Sequence, residues 1–532
     1  MSIGSSNLRE TQDLILTFDV GTSSVKATLF DREVRILANA CEAYPLLLPH
    51  SGWAEQRPED WWRAICRVTG KILARAAVPA SCVVAINFAA QTCGTIPVDE
   101  NGTPLHNCLI WLDTRSRPIA ERIVGGFPRI RGYGLPKLPR WLWLTNGIPN
   151  LSGKDPTSKI LWFRETMPDI WRNTFKVLDV KDYLLHRCGG RYVTTPDCAH
   201  LTWLMDSRKD RKCWSPTLLA SLKLDEERLP EIVPTTNIIG NLTPVAAREL
   251  GLAMDTAIVA GASDVAASAL GAGAILANHL HLYIGSSAWL GAHRPTRKVD
   301  VTSGIGTICS AFPDRYLLVA AQESAGSCVE WAARALGFFR DNRISLDDFN
   351  AAAGSAPAGT DELFFFPWLY GERAPMDDAS LRGGFCNLSL AHGREEMSRA
   401  VLEGVALNIR WAMEHMERLC EEPGNPVRLV GGGANSALWC QILADVLQRP
   451  LHRIQSPHLA GCRGMATSTA VALGWRESLE QAATEVRVGN VYEPDTHHKA
   501  LYDEKFSYFL HYLKNNRRWF RQLNRKDRAT FT

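Results

Sequence analysis

Residues 14–31 read Leu14-Ile15-Leu16-Thr17-Phe18-Asp19-Val20-Gly21-Thr22-Ser23-Ser24-Val25-Lys26-Ala27-Thr28-Leu29-Phe30-Asp31. An apolar strand runs into a small polar turn and out again along an alternating segment, the pattern of a hairpin. Three later stretches repeat the passage from apolar strand to Gly/Ser turn. They are Ala257-Ile258-Val259-Ala260 before Gly261-Ala262-Ser263-Asp264, Leu280 to Ile284 before Gly285-Ser286-Ser287, and Val427 to Val430 before Gly431-Gly432-Gly433-Ala434-Asn435-Ser436. The second and fourth turns lead into helical sequence: Val265 to Leu270 is small and apolar, and Ala437 to Leu447 follows Ser436, a residue type that caps helix N-termini. Ligands of open α/β sheets lie beyond the carboxyl ends of strands, where such turns occur. The fold class is therefore α/β with mixed sheets. A hairpin near residue 14 and a second Gly/Ser turn near residue 285 divide the chain into two similar halves with a boundary near residue 275. No GxxxxGK(S/T) or GxGxxG sequence occurs, which excludes the usual strand-to-helix phosphate loops.

Around these turns, the composition is that of a folded globular protein: 532 residues, 46% hydrophobic and 22% charged. Lys+Arg 59 against Asp+Glu 56 leaves +3, too little for a general nucleic-acid binder. The 14 cysteines contain no CxxC, and Cys188 and Cys198 are the closest pair, so neither a zinc cluster nor a redox motif is expected. The opening MSIGSSNLRETQD has no apolar run, and we expect a cytoplasmic protein with reduced thiols. Ala257 to Ala277 carries one charge, Asp264, in 21 residues, but its small, Gly-interrupted composition reads as a buried strand-turn-helix, and no membrane partner is expected. Residues 127–155 mix Gly, Pro, Arg and Trp and read as a long loop or insertion. Beyond His498, Phe506, Phe509, Leu510, Leu513, Phe520 and Leu523 recur at helical spacing, with Lys514, Arg518, Arg521, Arg525 and Arg528 as a basic stripe on the same helix.

Asp19 and Asp264 each end an apolar strand and enter a turn of Gly, Ser or Thr. A carboxylate there is either a turn or helix cap, or a functional group positioned by the sheet. Two in matching contexts favour function. The backbone N–H groups of the turns at Gly21 to Ser24, Gly285 to Ser287 and Gly431 to Asn435 can cradle phosphate oxygens, because glycine admits close approach. Phosphate and two carboxylates together point to magnesium-nucleotide chemistry.

Asp19 to Lys26 resembles the first phosphate motif of the FGGY carbohydrate kinases. Further segments agree in order: Gly52-Trp53-Ala54-Glu55-Gln56 with Pro58-Glu59-Asp60-Trp61-Trp62, Ile110-Trp111-Leu112-Asp113-Thr114-Arg115, and Pro156-Thr157-Ser158-Lys159-Ile160-Leu161-Trp162. Gly383-Gly384-Phe385-Cys386-Asn387-Leu388 with Ala400 to Gly404 resembles the second signature. Ser324 to Trp331 and Pro367 to Pro375 look most like the xylulose kinases of that family. The resemblance spans about residues 13 to 497. It implies two actin-like (ribonuclease H-like) ATPase domains with a cleft between them: a sugar-binding domain over residues 1–275, and a nucleotide-binding domain over 276–532 that ends in the terminal helix. A homodimer is a family-level expectation.

The implied reaction is ATP-dependent phosphorylation of a sugar hydroxyl, with a pentulose such as xylulose or a related ketose or polyol as acceptor. The alternatives are a kinase for another polyol or sugar acid, and a non-catalytic sugar-binding regulator of the same fold. The resemblance assigns Asp264 as general base and Asp19 to Mg2+, usually through water. Gly21, Thr22, Ser23, Gly285, Ser286 and Ser287 would face the phosphates of ATP, and Gly432, Gly433 and Asn435 its adenosine. Gln91, Thr92, Cys93, Trp111, Asp113 and Arg115 would line the sugar site, with an ordinary buried Trp and Asp–Arg pair as the alternative for the last three. Lys26 either joins the site or points to solvent. Two positions depart from the family pattern. Cys93 stands where xylulose kinases have a sugar-contacting His, and a thiol cannot reproduce imidazole's hydrogen bonds. A nucleophilic role for Cys93 finds no activating His or Lys beside it in sequence. Asn387 replaces a Gly, a change that a left-handed backbone tolerates.

Overall fold

The computed structural model describes residues 13–420 and 424–524. The chain divides into two compact units: one holds residues up to Gly271, Ile308–Tyr316 and Leu459–Glu485, the other Ala272–Thr307, Leu317–His458 and residues from Val486 onward. Two segments from beyond residue 275 thus belong with the first unit.

The sheet of the first unit is built around the opening hairpin, β1 (Leu14–Val20) and β2 (Ser24–Phe30), which pair antiparallel with Asp19 opposite Lys26. β3 (Ile36–Ala43) extends it antiparallel on one side, and β4 (Val83–Ala90) lies parallel to β1 on the other. Beyond β4 come β6 (Ala257–Val259), parallel, and β5 (Ile238–Asn241), antiparallel. The short strand Ala262–Ser263 also pairs with β4. β1 and β4 are apolar almost throughout because both of their faces are covered. One cover is the helix Pro58–Ala76. It starts with Pro at its first turn and Glu59 and Asp60 at its positive end, and it buries Trp61, Ile65, Val68 and Ile72 at helical spacing.

The second unit repeats the pattern. β7 (His279–Ile284) and β8 (Ala288–Arg294) form an antiparallel hairpin around the turn 285–287, followed in the sheet by β9 (Tyr316–Gln322). On the other side lie β10 (Gly424–Val430) and β11 (Leu451–Ile454), both parallel, then β12 (Val488–Tyr492), antiparallel. In each unit, then, the hairpin is flanked by two parallel strands and one antiparallel edge strand. The helix Arg394–Glu417 buries an almost continuous run from Ser398 to Ile409 in this unit.

Ala257 to Gly271 forms strand, turn and helix, as its composition predicts, and no helix among the described residues is long and apolar enough to cross a membrane. Residues 127–155 carry more order than a loop: a hairpin pairs Arg129–Ile130 with Tyr133–Gly134, and a helix spans Leu138–Thr145. That helix is held by Trp141 and Leu144, which pack with Val124 and Leu218, partners too distant in sequence for local patterning to reveal. The terminal helix, Lys499–Leu523, buries Phe506, Phe509, Leu513 and Phe520, whereas Leu523 is 58% exposed. Its basic stripe is partly spent inside the unit, since Arg521 and neighbouring Arg517 both donate to Asp378. Arg525, Arg528 and residues 1–12 lie outside the described residues. All 14 cysteines are free thiols.

Candidate active site

Asp19 is the last residue but one of β1, and Lys26 reaches back across the hairpin so that its Nζ lies 3.9 Å from Asp19 Oδ2. Of the two orientations open to Lys26, the structure has the one directed at the carboxylate. The hairpin turn is held by Gly21 N–H donating to Ser24 O at 3.0 Å and by the Tyr44 hydroxyl donating to Gly21 O. Asp264 opens the helix Asp264–Gly271, and its Oδ1 accepts from Val265 N–H at 2.8 Å. The turn before it requires glycine: Gly261 has φ +74°, and a Cβ there would lie 2.2 Å from Phe88 O. Burial, and then the charge of Asp19, push the Asp264 carboxyl up to about 7. Asp19 itself is raised by burial against the opposing pull of Lys26. The two carboxylates are therefore electrostatically one site.

Two supports of this pair lie outside the residues singled out from the sequence. Asp197 is fully buried; its Oδ2 accepts from Ser263 N–H and its Oδ1 from the Thr195 hydroxyl, each at 2.6 Å, which fixes the backbone just before Asp264. The start of the helix Ala460–Ala472 abuts Asp19: a Cβ at Gly461 would stand 2.8 Å from Asp19 Oδ2. The positive end of that helix favours a carboxylate. A helix-start reading of Thr195-Pro196-Asp197 is available from sequence, whereas the approach of residue 461 to residue 19 is not.

Thr22, Gln91 and Trp111 come together in one network. Thr22 Oγ1 accepts from Trp111 Nε1 at 2.9 Å and donates to Gln91 Oε1 at 3.3 Å. Gln91 Nε2 donates to Gln56 Oε1, and Gln56 Nε2 to Thr22 O, each at 2.7 Å. The Thr22 hydroxyl, expected at the phosphates, is thus tied to residues expected at the sugar. The Ser23 carbonyl accepts from Tyr44 N–H at 3.2 Å.

Cys93 sits at φ +61°, a left-handed backbone rarely adopted outside Gly, Asn and Asp. It is held there from both sides. Its N–H and that of Gly94 donate to the Asp179 carboxylate at 3.1 and 2.8 Å, and its carbonyl accepts from Lys159 Nζ at 2.9 Å. Burial, with the charges of Asp155 and Asp179, pushes the Cys93 thiol far up, against the opposing pull of Lys159 and of the Thr92 hydroxyl. A thiol held protonated is a poor nucleophile. Lys159, fully buried, also donates to Ile110 O at 2.7 Å. Lys159→Met removes both hydrogen bonds and orphans the buried Ile110 carbonyl, at about 1–3 kcal/mol, and the partly buried Cys93 carbonyl at less. A fall of the urea midpoint with an unchanged slope is the expected result.

Asp113 and Arg115, expected to present their charges to a sugar, form a closed pair instead. The Arg115 guanidinium bonds both Asp113 oxygens, and its Nη2 also reaches Glu55 Oε1 at 2.7 Å. Asp113 Oδ2 further accepts from Ala54 N–H at 2.7 Å, and the guanidinium lies 3.7 Å from the Trp53 ring centroid. Both side chains are buried, so this is the arrangement of a structural ion pair that fixes the loop carrying Trp111.

In the second unit, the Gly285–Ser287 turn is closed by Gly285 N–H donating to Ser287 O at 2.8 Å. Its carbonyls face the start of the helix Gly326–Ala335: Gly285 O accepts from Gly326 N–H at 2.9 Å, and Ser286 O from Ala325 and Ser327 N–H at 2.8 and 3.1 Å. Gly326 has no room for a side chain, since a Cβ would lie 2.5 Å from Gly285 O. The Gly432–Asn435 turn meets the same place, for a Cβ at Gly431, φ +96°, would lie 2.3 Å from Ile284 O, and one at Gly433 would lie 2.5 Å from Ile284 Cγ2. Ser286, Gly432 and Asn435 remain exposed. The expected nucleotide residues Gly285, Ser286, Ser287, Gly432, Gly433 and Asn435 are therefore gathered at the carboxyl ends of β7 and β10, with Gly326 as an unforeseen member. Asn387 adopts φ +64°, the conformation that its Gly-like position calls for.

Two sheets of one topology, each with a hairpin turn at its functional end, define an actin-like, ribonuclease H-like two-domain ATPase. The model of the N-terminal domain of the FGGY family of carbohydrate kinases matches residues 14–271, and that of the C-terminal domain residues 280–473. The chain belongs to this family and is a carbohydrate kinase, transferring a phosphoryl group from ATP to a sugar hydroxyl. It is 29% identical to the xylulose kinase of Escherichia coli (strain K12) over 92% of this chain and 97% of that one. It is 28% identical to the gluconokinase of Bacillus subtilis (strain 168) over 90% and 91%. Its structure matches the ligand-bound xylulose kinase of Lactobacillus acidophilus with TM-score 0.83 at 26% identity, covering 95% of this chain and 98% of that chain.

Proposed function

We propose that this chain phosphorylates a hydroxyl of an open-chain ketopentose such as xylulose, with Asp264 as general base. The observation that carries the reading is the Asp264 carboxyl, held at a strand-to-helix turn and poised near neutrality. Asp264 takes the proton of the acceptor hydroxyl as its oxygen bonds to the γ-phosphorus, and the bond from that phosphorus to the bridging oxygen breaks to release ADP. Such transfer needs positioning and charge stabilisation more than covalent help. The backbone of Gly21 to Ser23 and of Gly285 to Ser287 faces the phosphates, and Gly432, Gly433 and Asn435 face the adenosine. Gln91, Thr92, Cys93 and Trp111 face the sugar, with Trp111 packing on its apolar side. Asp113 and Arg115 hold Trp111 in place and do not touch the hydroxyls.

Magnesium fits the donor set. Among the described residues no group of three or more His, Cys, Asp or Glu could hold a metal ion. A hard cation that keeps its waters and arrives on ATP needs only one or two carboxylates, and Asp19, already paired with a cation in Lys26, would hold it. Bound there, magnesium supplies charge neutralisation for the transferring phosphoryl group.

The likeness to gluconokinase, together with Cys93, favours a sugar acid as the second reading. A panel of D-xylulose, D-ribulose, D-gluconate and glycerol, read by coupled ADP release, decides between them. Ketopentose kcat/KM should exceed that for gluconate by at least about tenfold, the least that a mismatch in size imposes on a pocket. Preference for gluconate would establish the second reading. ADP release with none of the four would place the acceptor outside both classes.

A further inference from the structure

Glu372 is 3% exposed, lies in the second unit outside the turns described above, and gathers three separate stretches of chain. Its Oε1 accepts from the backbone N–H of Glu323 at 2.9 Å and of Arg373 at 2.8 Å, and its Oε2 from Asn408 Nδ2 at 2.6 Å. Asn408, fully buried on the helix Arg394–Glu417, uses its other groups in the same cluster. Its Oδ1 accepts from Trp368 Nε1 at 3.0 Å, and its carbonyl from Gln322 Nε2 at 2.7 Å. Ala374 N–H donates to Ala321 O at 3.1 Å. Residues 321–323 are thereby pinned, and only Ser324 separates them from Ala325, Gly326 and Ser327, whose amides hold the Gly285–Ser286 carbonyls.

We propose that Glu372 is a positioning residue for nucleotide binding: through Glu323 it sets the start of the helix Gly326–Ala335, and through that helix the Gly285–Ser287 turn. This rests on the reading of that turn as facing the phosphates of ATP. Burial pushes the Glu372 carboxyl up to about 7, ahead of the hydrogen bonds that lower it, so the group is costly to keep ionised where it is. An uncharged residue cannot replace it at these partners. All three are donors, and Gln would set its own NH2 against Asn408 Nδ2; turning the Asn408 amide over would set that NH2 against Trp368 Nε1.

The test is Glu372→Gln in the full-length protein, with steady-state kinetics, calorimetric ATP binding in the absence of sugar, and a thermal melt. The expected result is about a tenfold rise in the KM and Kd for ATP, from a displaced phosphate turn, with the KM for sugar within about twofold. If Glu372→Gln does not fold, Glu372→Asp, which keeps the charge and cannot reach all three donors, is measured in its place with the same expectation. Unchanged ATP affinity with a lowered melting temperature would overturn the inference and leave Glu372 a purely structural residue, as would an equal rise in both KM values. Absence of ATP binding by the unaltered protein would overturn the reading of the turn, and the inference with it.

Discussion

Asp264→Asn lowers kcat by about 10²–10⁴-fold, the contribution of a positioned general base, while ATP and sugar still bind. The amide has the shape of the carboxyl and can keep the bond from Val265 N–H, so the helix start is preserved, but it cannot accept the acceptor's proton. The unaltered enzyme should show the matching pH profile. The base works only when deprotonated, so kcat/KM rises with pH, bends near 7 and levels off above it. Stability runs the other way. The folded-state value of about 7 lies above the ordinary 3.8, so the folded protein keeps a proton that the unfolded chain surrenders between those pH values. Asp264 therefore destabilises the fold increasingly as pH climbs through that window. Asn is free of this effect, and the melting temperature of Asp264→Asn should gain on that of the unaltered protein by a margin that grows as pH rises from 3.8 to about 7 and levels off above it. Near-normal turnover in the variant would remove Asp264 from the role of base.

Gly464→Ala is the second large effect, and it strikes the support of the same residue. A Cβ at Gly464 would lie 1.9 Å from Ala267 O, and one at Gly271 would lie 1.8 Å from Ala460 O. The helices Asp264–Gly271 and Ala460–Ala472 thus touch backbone to backbone through two reciprocal glycines. No rotamer change relieves a clash with a main-chain oxygen, so the helices must separate. We expect a loss of about 3 kcal/mol, the upper part of the overpacking range, and a fall in kcat because Asp264 rides on the displaced helix. Gly70→Ala is the control. Gly70 lies inside the helix Pro58–Ala76 with nothing within 4 Å of a Cβ, and Ala there should stabilise by about 1 kcal/mol. Urea midpoints that move together in the two variants would show that the glycine contact does not hold the helices.

What the sequence makes legible is local. The hairpin at Asp19, the strand-to-helix turn at Asp264 and the glycine turns at 285 and 431 are each written in consecutive residues, and each sheet places the carboxyl ends of its parallel strands on one side. What it hides depends on partners far along the chain. Asp113 and Arg115 look available for ligand until Glu55 and Trp53 are seen closing on them. The left-handed backbone of Cys93 is imposed by Asp179 and Lys159, 86 and 66 residues away. Thr22 reads as a phosphate ligand from its turn alone, yet Trp111 claims its hydroxyl. The helix in residues 127–155 is invisible to a reading keyed to Pro and Gly, because its stability comes from Val124 and Leu218.

The first unit draws in Leu459–Glu485 after the chain has already passed through most of the second. The helix that lies against Asp19 and against the Asp264 helix is therefore absent while the first 271 residues leave the ribosome. At about 5–20 residues per second, the intervening stretch of roughly 190 residues takes some 10–40 s to synthesise. Through that interval, the glycine faces of Gly271 and the sheet surface around Ile15 and Phe30, later covered by Cys462, Ala466 and Ala470, stand open. The amino-terminal half thus keeps this apolar surface uncovered until the helix Ala460–Ala472 has been made, and a gene cut after residue 275 would encode a first unit lacking the helix that completes it.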